Sequence, residues 1–313
     1  MAKLFYSEFL SIVSEEFLTY FPETWQEAEV KVQMVQKNHK SLDGLTIFRT
    51  GRGTEISPTI YVQDMYNYYL DNLPDPVEAT MSHFASLYMT AYRRAKVNGV
   101  TEENVTNRLT TAPVIPCVVA RKGNEEFLAG KVWRPFLDMA VYYRLVLNTD
   151  SSGMASAVVT ESLLQTLSLT KEELDRKAME NLSGMEPVVM GMADIIYDSI
   201  PEPIRPDREE FEEDFPDPGM LVVTNQYQVN GAAEMLNTEI LDLLAREAGC
   251  DLYILPSSVH ELIIVKEEEF GDPQDLREMV RDVNVNPDVI RPEDILTDSV
   301  YRYSRERGTV EIA

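Results

Sequence analysis

An α/β or α+β fold built on a mixed sheet is predicted by three features of the chain. Residues 221–265 change period twice: a short apolar run, then apolar residues every three or four positions, then another short apolar run beyond Gly249. Alternating apolar and polar runs within 27–48 and 136–159 read as β-hairpins. Amphipathic stretches at 3–21, 61–70, 76–97 and 170–182 read as helices that flank the sheet.

The 221–265 stretch carries the most information. Residues 220–223 form a β-type run, and Thr224 and Asn225 open a polar connection to Asn230. Ala232, Met235, Leu236, Ile240, Leu243 and Leu244 then follow the spacing of a buried helical stripe, with Asn230 as its expected N-cap and Gly249 as a left-handed C-terminal cap. Residues 251–255 are a second strand, and 256–261 turn the chain into a third at 262–265. If the first two strands are neighbours, they run parallel through a right-handed crossover, which makes the sheet mixed.

At 313 residues the chain is long enough for one or two domains. We place the boundary near 113: residues 1–113 are a helical and hairpin region, and 114–313 an α/β body. The opening helix, 3–21, carries Phe5, Phe9, Leu10, Val13 and Phe17 on one face and ends near Pro22. A hairpin follows, with a long polar tip at 38–44 that contains His39. The next two helices carry Tyr61, Met65, Tyr68 and Tyr69, and then Met81, Phe84 and Tyr88. The tyrosines make either an interaction surface or an amphipathic packing face.

In the second region, residues 114–120 and 136–147 read as strands, the latter hairpinned to 154–159 through 150–153. Asp138 and Arg144 share one nominal face, so Asp138 is either a site carboxylate or half of a structural ion pair. Thr170 followed by Glu173 is a capping box that predicts a sharp helix start. Residues 187–200 read as an amphipathic helix. Residues 201–219 hold five prolines among many carboxylates, so we expect an irregular acidic linker there, with Glu209, Glu210, Glu212 and Glu213 as a solvated face or partner tether. Residues 273–283 are a short helix, and 299–303 with 309–312 close the chain as β-structure.

Composition narrows the function. A net charge of −25 opposes phosphate backbones and forgoes counterion release, so direct nucleic-acid binding is not expected. The first residues carry acids inside their apolar pattern, unlike a signal peptide or membrane span, and a cytoplasmic location follows. The two cysteines, Cys117 and Cys250, flank apolar runs and are expected as buried thiols. No GxSxG elbow, HExxH, phosphate loop, GxGxxG or paired CxxC is present, so neither a cofactor nor a metal is expected. One polar cluster stands out: Ser257, Ser258, His260 and Glu261 leave a strand end, where Thr224 and Asn225 of the partner strand would meet them. They could line a ligand pocket, supply a serine nucleophile, or stabilise the turn through their own side chains.

The segments NHKSLDGLTI (38–47), ISPTIY (56–61), FLDMA (136–140), LTKEELDRKAMEN (169–181), VTNQYQVNGA (223–232), LYILPSSVHE (252–261) and LTDSVYRY (296–303) resemble, in order, the motifs of a bacterial family catalogued as domain of unknown function 5688. Through LTKEELDRKA and the strand–helix–strand region, the later half also resembles uncharacterised family 1444, more faintly. The resemblance implies a bacterial cytoplasmic protein, often from gut species and sometimes encoded near mobile elements, and it implies no reaction. Our expectation is a non-enzymatic protein-interaction module that inhibits or sequesters a basic protein partner. The alternative is a small-molecule-binding protein or hydrolase-type enzyme using the 257–261 turn.

Overall fold

The structure, a computed structural model, describes residues 3–49, 57–97, 110–150, 153–215 and 219–313. Ile56, the Ser151-Ser152 pair of a predicted turn, and residues 216–218 of the acidic stretch lie outside them. The chain divides into two compact units, Met1–Thr111 and Ala112–Ala313. All three sheets of the described residues are antiparallel, so the fold is α+β rather than a mixed-sheet α/β.

In the first unit, α1 (Tyr6–Glu16) runs into a single 3-10 turn, Phe17–Tyr20, before Pro22. Strands β1 (Glu29–Lys37) and β2 (Lys40–Phe48) pair as far as Lys37 opposite Lys40. The hairpin is therefore tighter than the seven-residue tip predicted. His39 takes φ 52°, the left-handed geometry that closes a two-residue turn between twisted strands. Strand β3 (Thr59–Tyr61) joins the edge of β2, then α2 (Val62–Asp71) and α3 (Val77–Val97) cover the sheet. Phe9, Phe17, Trp25, Leu45, Ile47, Met65 and Tyr88 form the core. Each such side chain contributes roughly 1.5–3 kcal/mol on leaving water.

In the second unit, β4 (Val114–Ala120) leads through α4 (Glu125–Leu128) to β5 (Trp133–Phe136), β6 (Met139–Asp150) and β7 (Gly153–Val158). Strand β6 is the spine of this sheet, with β4 on one edge and β5 then β7 along the other. The single strand predicted from 136 breaks at Leu137, whose φ of 53° folds β5 back on β6. Next come α5 (Glu161–Thr166) and α6 (Lys171–Ser183), and α6 begins at the predicted capping box: Thr170 Oγ1 accepts the Glu173 N–H, and Glu173 Oε2 accepts the Thr170 N–H at 2.9 Å. Helix α6 docks on β4, where Asn181 Nδ2 donates to the Val114 carbonyl at 2.7 Å.

The predicted helix at 187–200 splits into β8 (Pro187–Gly191) and α7 (Met192–Ser199). Val188 and Val189 favour the strand, and β8 finds an open partner in β9 (Leu221–Asn225). The predicted irregular linker also corrects. A 3-10 turn spans Glu202–Ile204, and α8 (Arg208–Asp214) follows. Its prolines punctuate the segment but leave 207–215 free of them, and Asp207 caps the helix by accepting the Glu210 N–H at 2.9 Å.

After β9, a 3-10 helix, Gly231–Leu236, leads to α9 (Thr238–Ala248), β10 (Leu252–Pro256), β11 (Leu262–Lys266), α10 (Glu267–Phe270), α11 (Pro273–Asn284), β12 (Tyr301–Ser304) and β13 (Thr309–Ile312). The sheet order is β13-β12-β10-β11-β9-β8. Strands β9 and β10 point the same way, yet they never pair, because β11 turns back at 257–261 and inserts between them. The expected parallel crossover therefore becomes two antiparallel contacts. The predicted continuous helix also breaks at Asn237. Past it, Leu241 and Ala245 are buried while Leu243 is 50% exposed, so the break rotates the apolar stripe. Gly249 adopts φ 79° and terminates α9, as expected of a left-handed cap.

Candidate functional site

The polar ends of β9 and the β10–β11 turn meet, although their strands are separated by β11. Thr224 Oγ1 donates to the His260 carbonyl at 2.8 Å. Gly231 makes that approach possible: a Cβ there would stand 2.2 Å from Thr224 Oγ1 and 2.4 Å from the His260 oxygen. His260 Nδ1 accepts the Asn230 N–H at 3.1 Å, so the ring's own proton lies on Nε2, 3.2 Å from Asp294 Oδ1. Arg291 Nε donates to the other oxygen of Asp294, at 2.8 Å. Asn230 itself takes φ 55° and makes no side-chain cap, which corrects its expected N-cap role.

The remaining members of the predicted cluster are spent locally. Ser258 Oγ accepts the His260 N–H at 3.0 Å, and Ser257 Oγ donates to Glu261 Oε1 at 3.2 Å. Asn225 binds its own loop, through Tyr227 N–H to Oδ1 and Nδ2 to the Val229 carbonyl, each at 2.9 Å. A serine nucleophile needs the imidazole lone pair, which here is taken by a backbone amide. The arrangement locks three loops together, and its internal bonds resemble an Asx- and serine-stabilised turn. Asp294 is the member that sequence reading missed; it lies in a proline-marked loop with no local signal linking it to His260.

Asp138 forms a second hub. It is not paired with Arg144, whose Nε donates to Ser156 Oγ at 2.8 Å. Instead Asp138 accepts three hydroxyls, from Tyr301 at 2.5 Å, Ser299 at 2.8 Å and Thr297 at 3.2 Å, and so ties the four-stranded sheet to the six-stranded one. Burial, and then the hydrogen bond to Asp138, push the Tyr301 phenol well above its ordinary range. Beside this hub opens a cleft of about 720 Å³, lined by Arg121, Lys122, Lys131 and Trp133 together with Glu125, Asp138 and Glu161. None of the residues predicted at the 257–261 turn lines it.

The acidic stretch is presented by α8. Phe211 is 6% exposed and packs edge-on against Tyr197 at 5.1 Å, which turns Glu209, Glu210 and Glu213 outward. Glu212 pairs with Arg208 at 2.5 Å, and Arg208 also reaches Asp194 at 2.6 Å. The three predicted tyrosines do not share a face. Tyr69 is 4% exposed and stacks on Phe9, so it belongs to the core; Tyr68 stacks on His83 at 4.5 Å; Tyr61 lies under Lys37 Nζ at 4.9 Å. Among the described residues, no group of three or more His, Cys, Asp or Glu side chains is placed to hold a metal ion. Cys117 is fully buried, and burial raises its thiol to about 12; Cys250 is half-buried rather than buried, and both are free.

The fold and these neighbourhoods define an α+β protein whose most conspicuous polar cluster is consumed by its own hydrogen bonds. The chain belongs to the family of unknown function DUF5688, whose model matches residues 6–305. The likeness of the later half to family 1444 gains no support. Comparison with curated proteins and with solved structures found no match to either. No helix of the described residues is long and apolar enough to cross a membrane.

Proposed function

We propose that this protein is a non-enzymatic, cytoplasmic interaction module that engages a basic protein partner through an acidic face centred on α8. The observation that carries this reading is the geometry of that helix. Residues 201–219 hold eight carboxylates against two arginines. Both arginines are drawn inward over the Tyr197 ring, at 5.4 and 5.0 Å, while Glu209, Glu210 and Glu213 stay in solvent. Among the described residues these three have no cation within 4.0 Å. A fixed row of unneutralised carboxylates steers a cationic partner and adds specificity more than raw affinity. The alternative, a ligand-binding or hydrolase-type site at the 257–261 turn, is weakened because Ser258 and His260 are each committed to backbone groups.

Affinity capture from a bacterial host lysate tests the proposal when the bait is compared with a Glu209→Lys/Glu210→Lys/Glu213→Lys variant. Partners that bind through α8 leave the variant and are eluted by salt. A set of partners identical for both baits contradicts the reading.

A further inference from the structure

The cleft beside Asp138 departs from the acidity of the rest of the chain. It is built by the β4–β5 connection, the β5–β6 turn and the start of α5. Gly123 and Gly130, at φ 81° and 72°, turn the connection around the short α4, so that Arg121 and Lys122 precede that helix and Lys131 follows it. The three acidic groups on the wall already have donors. Asp138 holds its three hydroxyls, Glu161 takes Lys171 Nζ at 2.7 Å, and Glu125 takes the Gly123 N–H at 3.2 Å. The three cations do not: among the described residues none of Arg121, Lys122 and Lys131 has a carboxylate within 4.0 Å. Lys131 is half-buried, its Nζ 4.0 Å from the Phe127 ring centroid. In a chain of net charge −25 the wall sets three cations against three carboxylates, one of which is already matched by Lys171, so the concavity is far less acidic than the chain around it and its three cations are available to a phosphate. The same wall offers the indole of Trp133, 39% exposed, as a flat surface. A volume of about 720 Å³ suits a ligand of nucleotide size.

We propose that this cleft binds a small aromatic phosphate, the class that includes nucleoside monophosphates, with the phosphate held by Arg121, Lys122 and Lys131 and the planar ring laid on Trp133. The site is separate from α8, and its success or failure leaves the acidic face untouched.

Isothermal titration of the full chain with adenosine monophosphate and with phenyl phosphate tests it, with adenosine and inorganic phosphate as controls. At least one aromatic phosphate binds with a Kd below about 1 mM, and both controls bind about tenfold more weakly or not at all. Arg121→Ala/Lys131→Ala weakens binding about tenfold or more. Because Lys131 is half-buried, Lys122→Ala, at an exposed position, supplies a second variant that also weakens binding. The proposal is overturned if neither aromatic phosphate gives saturable heat, or if inorganic phosphate binds as well as they do. Affinity unchanged in both variants overturns it too.

Discussion

Glu234 is fully buried, and only one of its carboxylate oxygens has a partner, Asn237 Nδ2 at 2.9 Å. Among the described residues its Oε1, and the Oδ1 of Asn237, have none. Burial lifts the carboxyl to about 7, against the small opposing effect of the Asn237 bond. Because the folded value is raised, the proton-bound form favours the fold. That contribution is complete below about pH 4.5, the ordinary value, and is lost as pH rises through about 7. Glu234→Gln removes the charge and keeps the shape, so we expect stabilisation of up to about 3 kcal/mol at pH 8 and almost none at pH 4. Urea unfolding at both values checks this; an equal effect at both contradicts it. Gly231 makes the complementary case. Gly231→Ala forces a methyl against Thr224 Oγ1 and the His260 carbonyl, and we expect a loss of about 3 kcal/mol in the same unfolding measurement. Neither role was legible locally. Gly231 read as the start of a helix, and only the approach of a turn some thirty residues onward reveals why it lacks a side chain.

At the scale of elements, the signals that proved readable are those satisfied within a few residues. Thr170 with Glu173 announced the start of α6, and Gly249 the end of α9, because a cap is a local bond or a local backbone angle. Thr170→Ala is expected to cost about 1 kcal/mol in thermal unfolding. Elements set by distant partners misled. Residues 187–191 carry helical spacing but become a strand once β9 offers an open edge, and Arg208–Asp214 become a helix because Phe211 has Tyr197 to pack against. The His260 node belongs here too, since it joins three loops. His260→Ala leaves the Asn230 N–H without its acceptor and Asp294 Oδ1 without the imidazole, while Arg291 still holds Asp294 Oδ2, and we expect a loss of about 1–3 kcal/mol. Replacing Ser258 by Ala should cost less, since among the described residues its hydroxyl serves one turn amide. A hydrolase would reverse that pattern in an activity assay, losing turnover with either residue.

For the whole molecule, composition spoke clearly about charge and the ordered motifs about family, while the strand order stayed hidden. Alternation and period report each strand's own environment. They do not say that β11 slides between β9 and β10, because that choice depends on the turn at 257–261 and on β12 closing the far side. The same reasoning explains the candidate site: its residues were expected to converge on one pocket, whereas Thr224 meets the His260 carbonyl, Asn225, Ser257 and Ser258 bond within their own turns, and the His260 ring is held by Asn230 and by Asp294, which carried no local mark. In the function proposed above, the excess of acid acts through the surface it leaves unneutralised. The direct measurement is the salt dependence of partner capture, from about 50 to 500 mM, for the native chain beside the triple charge reversal on α8. The account predicts a partner of basic charge that is held at low salt, released as salt rises, and absent from the reversed chain at every salt. Capture that ignores both salt and charge reversal would contradict it.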